Sequence, residues 1–122
     1  MENCIKIFKS LSDSTRIRIL RLLLEADCEL CICEIMDSLN LAQDNISKHT
    51  KELKSAGILK EMRLGRFVFY SIAKSNDNFK KKILEAVKNI PADHFMPDNK
   101  RLKKRLALRV GNKVVCGING CK

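Results

Sequence analysis

Residues 32 to 72 read ICEIMDSLNLAQDNISKHTKELKSAGILKEMRLGRFVFYSI, and the order of patterns within this stretch decides the fold. A short helix is predicted over about residues 31–39, and Asn40-Leu41 predicts a tight turn after it. The next helix is predicted over about residues 43–56, because apolar residues recur at helical spacing and no Gly or Pro interrupts them. Gly57 follows at once, where the end of a helix favours a residue that adopts positive φ. The stretch therefore begins with two helices joined by a tight turn.

The apolar pattern changes from helical spacing to alternation after the second helix. Residues 58–64 and 67–72 have the composition and alternation of strands. Gly65-Arg66 lies between them and predicts a two-residue hairpin loop. Two helices joined by a tight turn and followed by a β-hairpin form the winged helix-turn-helix arrangement.

The flanking segments extend this core on both sides. Residues 4–11 and 15–27 predict two helices, and Ser12 or Asp13 predicts the N-cap of the second. Residues 79–90 predict an amphipathic helix that Pro91 stops. The fold class is therefore mainly α with a small β-hairpin, which makes a winged helix-turn-helix.

These patterns divide the chain into two predicted units. Residues 1–95 are predicted to form the winged helix-turn-helix domain for DNA binding and dimerisation. Residues 96–122 are predicted to form a basic C-terminal extension that contains two cysteines. Pro97 marks a further break, and residues 101–110 fit a basic helix.

The charge of the chain favours a polyanionic partner. The 122 residues include 24 Lys and Arg against 14 Asp and Glu, which gives a net charge of +10. The excess is concentrated after Pro97, where eight basic residues face the single acidic Asp98. Nucleic acid is the commonest polyanion that such a surface binds, although a solvated basic surface has the same composition.

The second helix of the pair and the hairpin supply candidate DNA contacts. In a helix-turn-helix the second helix enters the major groove, where Gln and Asn read base edges and cations contact phosphates. A basic hairpin tip suits the DNA backbone or the minor groove. The alternative is an ordinary solvated helix with a basic outer face. The predicted contact residues are Gln43, Asn45, Ser47, Lys48, His49, Lys51, Lys54, Arg63 and Arg66.

Cys28, Cys31 and Cys33 form a C-x2-C-x-C cluster at the start of the first of these helices. Thiolates are soft ligands that select thiophilic metals, and a helix N-terminus favours the thiolate. The alternative is a group of buried, inert thiols. Positions i and i+2 of a regular helix do not face each other. We therefore expect an ion bound by both Cys31 and Cys33 to distort the first turn and, through it, the helix-turn-helix.

Four ordered motifs between Phe8 and Ala73 resemble the ArsR/SmtB family of repressors. These are LSDSTRIRILRLL, ELCICEI, LAQDNISKHTKELKSAGIL and RLGRFVFYSI. The resemblance implies a winged-helix homodimer that binds a palindromic operator in double-stranded DNA and releases it when an inducer binds. The sequence departs from the family at three positions. Ala42 stands where a capping Ser is common, Thr50 where Leu is common, and Ser14 where Pro is common.

The resemblance also implies roles for the cysteines. Cys31 and Cys33 match the family's C-x-C ligands, but Met36 stands where arsenic-type members often have a third Cys. The third ligand is then Cys28, which we prefer, or Cys4, or one of the tail residues Cys116 and Cys121, which are spaced C-x4-C. A tail with incidental thiols is the alternative for that last pair.

The ligand set implies a thiophilic inducer. Arsenite or antimonite is preferred and cadmium or lead is an alternative, while the sequence does not choose among these ions and zinc. The family's zinc site in the last helix, made by Asp and His, is absent from residues 76–90. The family also implies dimerisation through the first and last helices, which assigns Ile5, Phe8, Ile83 and Val87 to the interface.

Other classes of protein fit less well. The two His lie far apart and no Gly-rich phosphate loop is present, so an enzyme and a small-molecule substrate are not expected, nor is a cofactor for DNA binding. No apolar run reaches the ~20 residues needed to span a bilayer, and a cytoplasmic protein is expected. Two alternatives stay open: a thiol redox switch on the same fold, and a cysteine-based metal buffer with an incidental basic face.

Overall fold

The structure, a computed structural model, describes residues 1–111 and 113–114. A short 3-10 turn, Ala92–Phe95, precedes the last helix. The elements in chain order are α1 (Glu2–Ser10), α2 (Ser14–Ala26), β1 (Leu30–Cys31), α3 (Ile32–Leu39), α4 (Gln43–Ser55), β2 (Leu59–Leu64), β3 (Phe67–Ile72), α5 (Asn78–Lys88) and α6 (Met96–Leu106). The predicted winged helix-turn-helix is confirmed by this order.

Helix α2 is the central element of the core. Its N-cap is Asp13, as one of the two predictions had it, and the carboxylate accepts hydrogen bonds from the backbone N–H groups of Thr15 and Arg16. Ile19, Leu20, Leu22 and Leu23 are almost fully buried. Burial of these side chains is the main favourable term that holds the surrounding helices to α2.

Three arginines of α2 join it to three other parts of the chain. Arg16 Nε donates to the carbonyl of Ser10 at the end of α1 (2.6 Å). Arg18 forms a bidentate pair with Asp98 of α6 (2.8 and 2.9 Å). Arg21 is buried and donates to the carbonyls of Val87 and Ile90 around the end of α5 (3.0 and 2.7 Å). These residues, which interrupt the apolar pattern, therefore act as cross-links between helices.

The helix-turn-helix consists of α3 and α4. Helix α3 ends at Asn40, which adopts the left-handed conformation (φ 56°) that Asn tolerates. Helix α4 begins after Ala42, which supplies no side-chain cap. The capping hydrogen bond that a Ser would make at this position is therefore absent. At its other end the N–H of Gly57 (φ 76°) bonds to Lys54 and that of Ile58 to Leu53, which is a Schellman motif.

The hairpin is part of a three-stranded antiparallel sheet in the order β1-β3-β2. Strands β2 and β3 pair from Leu59↔Ile72 to Leu64↔Phe67, which confirms the predicted hairpin and its Gly65-Arg66 loop. Strand β1 was not predicted, because two residues are too few to show alternation. Cys31 in β1 pairs with Phe69, so this cysteine lies in a strand and not within the helix predicted from about residue 31.

The C-terminal helix differs from its prediction. Helix α6 begins at Met96 rather than near residue 101, and Pro97 lies in its first turn instead of breaking the chain. A proline is tolerated there because the N–H that it lacks has no partner within the helix. Leu102 is buried in the same core as α2 and α3. The helical part of residues 96–122 is therefore packed against the domain that precedes it.

Across residues 1–111 and 113–114, no helix has both the length and the apolar character needed to cross a membrane.

Candidate nucleic-acid interface and thiol site

Helix α4 presents a polar and basic face to solvent. Gln43, Lys48, Lys51 and Lys54 are exposed, while Asn45 and Ser47 are half-buried. Its opposite face is fully buried through Ile46, Thr50 and Leu53, and the Thr50 hydroxyl donates to the carbonyl of Ser47 (3.1 Å). Arg63 and Arg66 are exposed on the hairpin. Eight of the nine predicted DNA contacts therefore have side chains at least partly open to solvent.

His49 is the exception in this set, because its side chain faces the protein. It is 7% exposed, and its Nδ1 accepts a hydrogen bond from Arg16 Nη1 at 3.2 Å and lies 3.8 Å from Asp13. Burial lowers the pKa of His49, with the positive charges of Lys48 and Arg16 acting in the same direction and Asp13 opposing them. This position suits His49 to join α4 to the start of α2, and not to contact DNA.

Glu61 organises the basic residues between α4 and the hairpin. Tyr70 Oη donates to Glu61 Oε1 (3.1 Å), and Lys54 Nζ and Arg63 Nε lie 3.3 and 3.7 Å from Oε2. Burial tends to raise the pKa of Glu61, but the hydrogen bonds from Tyr70 and Lys54 prevail and lower it. The carboxylate therefore holds two predicted DNA contacts in place, a role that sequence patterns did not indicate.

Cys31 and Cys33, called the thiol pair below, meet at the N-terminus of α3. Cys31 is the extended N-cap residue (φ −68°, ψ 149°) and Cys33 lies in the first helical turn. Their Sγ atoms are 3.2 Å apart, which exceeds the S–S bond length of about 2.05 Å. The premise that these two side chains do not face each other is wrong, because only one of the two residues has helical backbone. The pair is already brought together.

A buried carboxylate lies beside the thiol pair. Glu34 is fully buried and accepts a hydrogen bond from the Cys31 N–H (2.9 Å). Arg109, beyond the end of α6, donates to both carboxylate oxygens of Glu34 at 2.6 Å. These hydrogen bonds raise the pKa of Arg109, although its partial burial acts in the opposite direction. The bidentate pair therefore fixes the C-terminal segment at the start of α3.

The same C-terminal segment contacts the cysteines themselves. Arg105 Nη2 donates to Cys33 Sγ (3.4 Å), while its Nε donates to Asp37 (2.9 Å). Arg109 Nη1 makes a long contact of 4.0 Å with Cys28 Sγ. Sequence reasoning related the basic extension to a polyanionic partner or to a solvated basic surface, and it missed this role. Glu34 and Asp37, one helical turn apart with charges opposite to the extension, were the available signal.

The third predicted ligand is not beside the thiol pair. Within residues 1–111 and 113–114, no three Cys, His, Asp or Glu side chains are grouped closely enough to hold a metal ion. Cys28 is exposed on the segment before β1, and Cys4 is half-buried on α1. The predicted tail ligands Cys116 and Cys121 lie outside the described residues. The described geometry thus supplies two adjacent thiols and one nearby, exposed thiol.

Comparison with known proteins gives related regulators. Residues 13–61 match the family described as bacterial regulatory protein, arsR family. The arsenic resistance transcriptional regulator ArsR1 of Pseudomonas putida is 34% identical over 110 residues, covering 90% of this chain and 84% of that protein. A CadC homolog of Staphylococcus aureus, a cadmium resistance transcriptional regulatory protein, is 35% identical and covers 66% of this chain and 63% of its own length.

The solved structures with this fold include HlyU from Vibrio cholerae. It superposes with a TM-score of 0.61 at 26% sequence identity, covering 70% of this chain and 88% of that one.

Proposed function

Since the chain belongs to the arsR family of bacterial regulatory proteins, we propose that it is a repressor that binds operator DNA as a dimer and releases it when a thiophilic ion binds its cysteines. Family membership makes it a transcriptional regulator and not an enzyme. No cofactor is required for DNA binding, and such a regulator acts in the cytoplasm.

The main structural support for this proposal is the 3.2 Å separation of the Cys31 and Cys33 Sγ atoms. Two adjacent thiolates match the ligand preference of soft ions. They lie at the N-terminus of α3, the helix whose other end leads through Asn40 into α4. An ion bound there would contact the first helix of the DNA-binding motif.

Arsenite or antimonite is the proposed inducer, and cadmium or lead is the second choice. Each As–S bond forms as a thiol loses its proton to a hydroxyl of arsenous acid, which leaves as water. Three thiols are needed to replace all three hydroxyls. We propose Cys28 as the third thiol, because it is close in sequence and shares Arg109 as a neighbour with the Glu34 region. Cys4, Cys116 and Cys121 remain the alternatives.

The proposed DNA surface combines α4 and the hairpin. The base-reading residues are Gln43 and Asn45, since both amide groups donate and accept hydrogen bonds. Ser47 is half-buried and the other proposed backbone contacts are exposed. These proposed contacts are Ser47, Lys48, Lys51, Lys54, Arg63 and Arg66. His49 is left out of this set because it is buried against Arg16.

The proposed dimer interface is formed by α1 and α5. Ile5 and Phe8 are 47% and 56% exposed, and the Phe8 ring packs edge-to-face on Phe79 with centroids 5.4 Å apart. Ile83 is half-buried, whereas Val87 is only 5% exposed and belongs to the core of its own chain. A partner subunit that covers this apolar surface would place two copies of α4 about one DNA turn apart.

The test is fluorescence anisotropy of the reduced, full-length protein on a labelled fragment of its own promoter, with arsenite, antimonite, Cd(II), Pb(II) and Zn(II) titrated separately. The Cys31→Ser/Cys33→Ser variant is the matched comparison. We expect one class of ion to release wild type while the variant binds DNA and ignores that ion. Failure to bind promoter DNA selectively would overturn the repressor assignment.

The distance within the thiol pair also favours a second candidate, a redox switch. Two sulfurs 3.2 Å apart need little movement to form a disulfide, with two protons and two electrons passing to an oxidant such as a peroxide. In the same anisotropy assay, release by peroxide that dithiothreitol reverses, with no response to any ion, would select this candidate.

A further inference from the structure

The thiol pair is closed to solvent. Cys31 is 0% exposed and Cys33 is 2% exposed. A metal ion must approach a thiolate sulfur to about 2.3 Å, as in zinc sites, so neighbouring groups have to move before an ion can bind. One such group is the guanidinium of Arg105, itself 2% exposed, which donates from α6 to Cys33 Sγ at 3.4 Å.

Helix α6 is joined to both ends of α3. At the N-terminal end of α3, the Arg109–Glu34 pair (2.6 Å) holds the residues after α6 beside the thiol pair, and one turn further along α3 the Arg105–Asp37 ion pair (2.9 Å) holds α6 itself. At the C-terminal end of α3, Arg101 Nε donates to the Ser38 carbonyl (2.7 Å).

A second contact reaches the last residue of α3. Arg18 Nη2 donates to the Leu39 carbonyl (2.9 Å), and Asp98 of α6 pairs with both Arg18 and Arg101. Helix α6 thus takes part in holding the carbonyls that immediately precede Asn40, where the chain turns into α4.

We propose that α6 is a latch over the thiol pair, which an ion must displace from α3 in order to bind. The proposal rests on the proposed function, since it specifies how the same cysteines are reached. The Arg105 guanidinium lies 3.4 Å from the Cys33 sulfur, and an ion must approach that sulfur more closely, so the two compete for the space around it. For a divalent cation such as Cd(II) the two positive charges also repel each other in the buried site. The latched state and the ion-bound state therefore exclude each other.

The latch gives the ion a route to the DNA-binding helix. When α6 leaves α3, the hydrogen bond from Arg101 to Ser38 is lost and Asp98 no longer fixes Arg18 at Leu39. Both carbonyls adjoin the turn at Asn40 that sets the direction of α4. A ligand shifts an equilibrium only through contacts that differ between its two states, and the latch contacts differ in this way.

Hydrogen exchange on the reduced, full-length protein tests the latch directly. Cd(II) and arsenite are added in separate experiments. Ultraviolet absorption from charge transfer between sulfur and the bound ion reports binding, and mass spectrometry reports the rate of amide exchange. We expect exchange in residues 101–106 to accelerate at least about fivefold on binding, the low end of common coupling between sites. Amides of α2 serve as the internal reference. If the charge-transfer absorption shows that an ion binds but amide exchange in α6 is unchanged or slower, the latch alone is overturned. If neither ion produces this absorption, the proposed function and the latch are overturned together.

A variant remote from the sulfurs tests the coupling. Arg101→Gln removes a contact between α6 and α3 but touches no cysteine, and Lys104→Gln makes the same charge change at an exposed position of α6. The fraction of protein in the latched state lowers the apparent affinity for an ion, and Arg101→Gln should reduce that fraction. The variant should therefore bind Cd(II) at least about fivefold more tightly than wild type. Lys104→Gln should match wild type. Equal affinities for the two variants, with both folded by circular dichroism, would contradict the latch.

Discussion

Cys31 and Cys33 differ in backbone conformation, and that difference brings their sulfurs together. Cys31 ends the short strand β1, while Cys33 lies in the first turn of α3. The extended residue directs its side chain toward the helical one, so the Sγ atoms are 3.2 Å apart without distortion of the helix. Binding at this pair therefore depends on access to the sulfurs and on a third ligand.

Cys28→Ser is expected to weaken ion binding, because Cys28 is the proposed third thiol. The apparent affinity for arsenite should fall at least about tenfold, or about 1.4 kcal/mol. Cys4→Ser is the matched control, since it removes a thiol from α1 and should leave the affinity unchanged. The measurement is competition with a chromophoric dithiol. A loss in Cys4→Ser but not in Cys28→Ser would reassign the third ligand.

His49 gives the protein a predictable response to acid. Its folded-state pKa is lowered from 6.5, chiefly by burial, so below about pH 6.5 the unfolded chain binds more protons than the folded one. This contribution is therefore neutral above that pH and destabilises the fold as the pH falls below it. We expect the thermal midpoint to drop between about pH 7.5 and about pH 5.5.

His49→Gln should lose a smaller part of its thermal midpoint over the same interval. His94→Gln, which alters the exposed second histidine, should behave like wild type. Equal pH dependence in all three proteins would show that His49 is not the group responsible.

At the scale of elements, α4 and the hairpin could be predicted because their patterns are local. The contacts of α6 with α3 were not predicted, since they join residues more than sixty positions apart and the charges of Glu34 and Asp37 are only a weak signal beside a tail whose composition also suits an exposed basic surface. Strand β1 was missed because its pairing with β3 is set by the tertiary fold and not by a two-residue pattern. His49 was assigned to DNA by residue type, although its spacing of three residues from Ile46 and four from Leu53 places it beside the buried face, where Arg16 contacts it.

The salt dependence of DNA affinity distinguishes the proposed phosphate contacts of α4 from its proposed base-reading residues. Lys51→Gln should weaken all DNA sequences alike and reduce the slope of log affinity against log salt by ~0.9, the loss of one phosphate contact. Lys60→Gln is the matched control, because Lys60 is exposed on β2 and lies outside the proposed surface. An unchanged slope in Lys51→Gln would exclude a phosphate contact there.

For the whole molecule, the proposed dimer depends on the apolar side chains that α1 exposes. Ile5 and Leu108 are each 47% exposed, but only Ile5 lies in the proposed interface. Ile5→Glu should therefore shift the protein to monomer and weaken operator binding at least about tenfold, because a buried unpaired charge is costly. Leu108→Glu should stay dimeric. The measurement is sedimentation velocity with parallel anisotropy titrations, and an Ile5→Glu dimer would contradict the assigned interface.

Whether operator DNA weakens ion binding tests the proposed control of DNA binding by the thiol pair. If the ion and the operator favour different states, linkage requires that DNA lower the affinity for the ion by the same factor as the ion lowers the affinity for DNA. The affinity of the inducing ion should therefore be measured for the reduced protein alone and saturated with operator. We predict a weaker affinity on DNA, by about 5- to 150-fold, the usual range of such coupling. Equal affinities in the two states would contradict the claim that ion binding at Cys31 and Cys33 controls DNA binding.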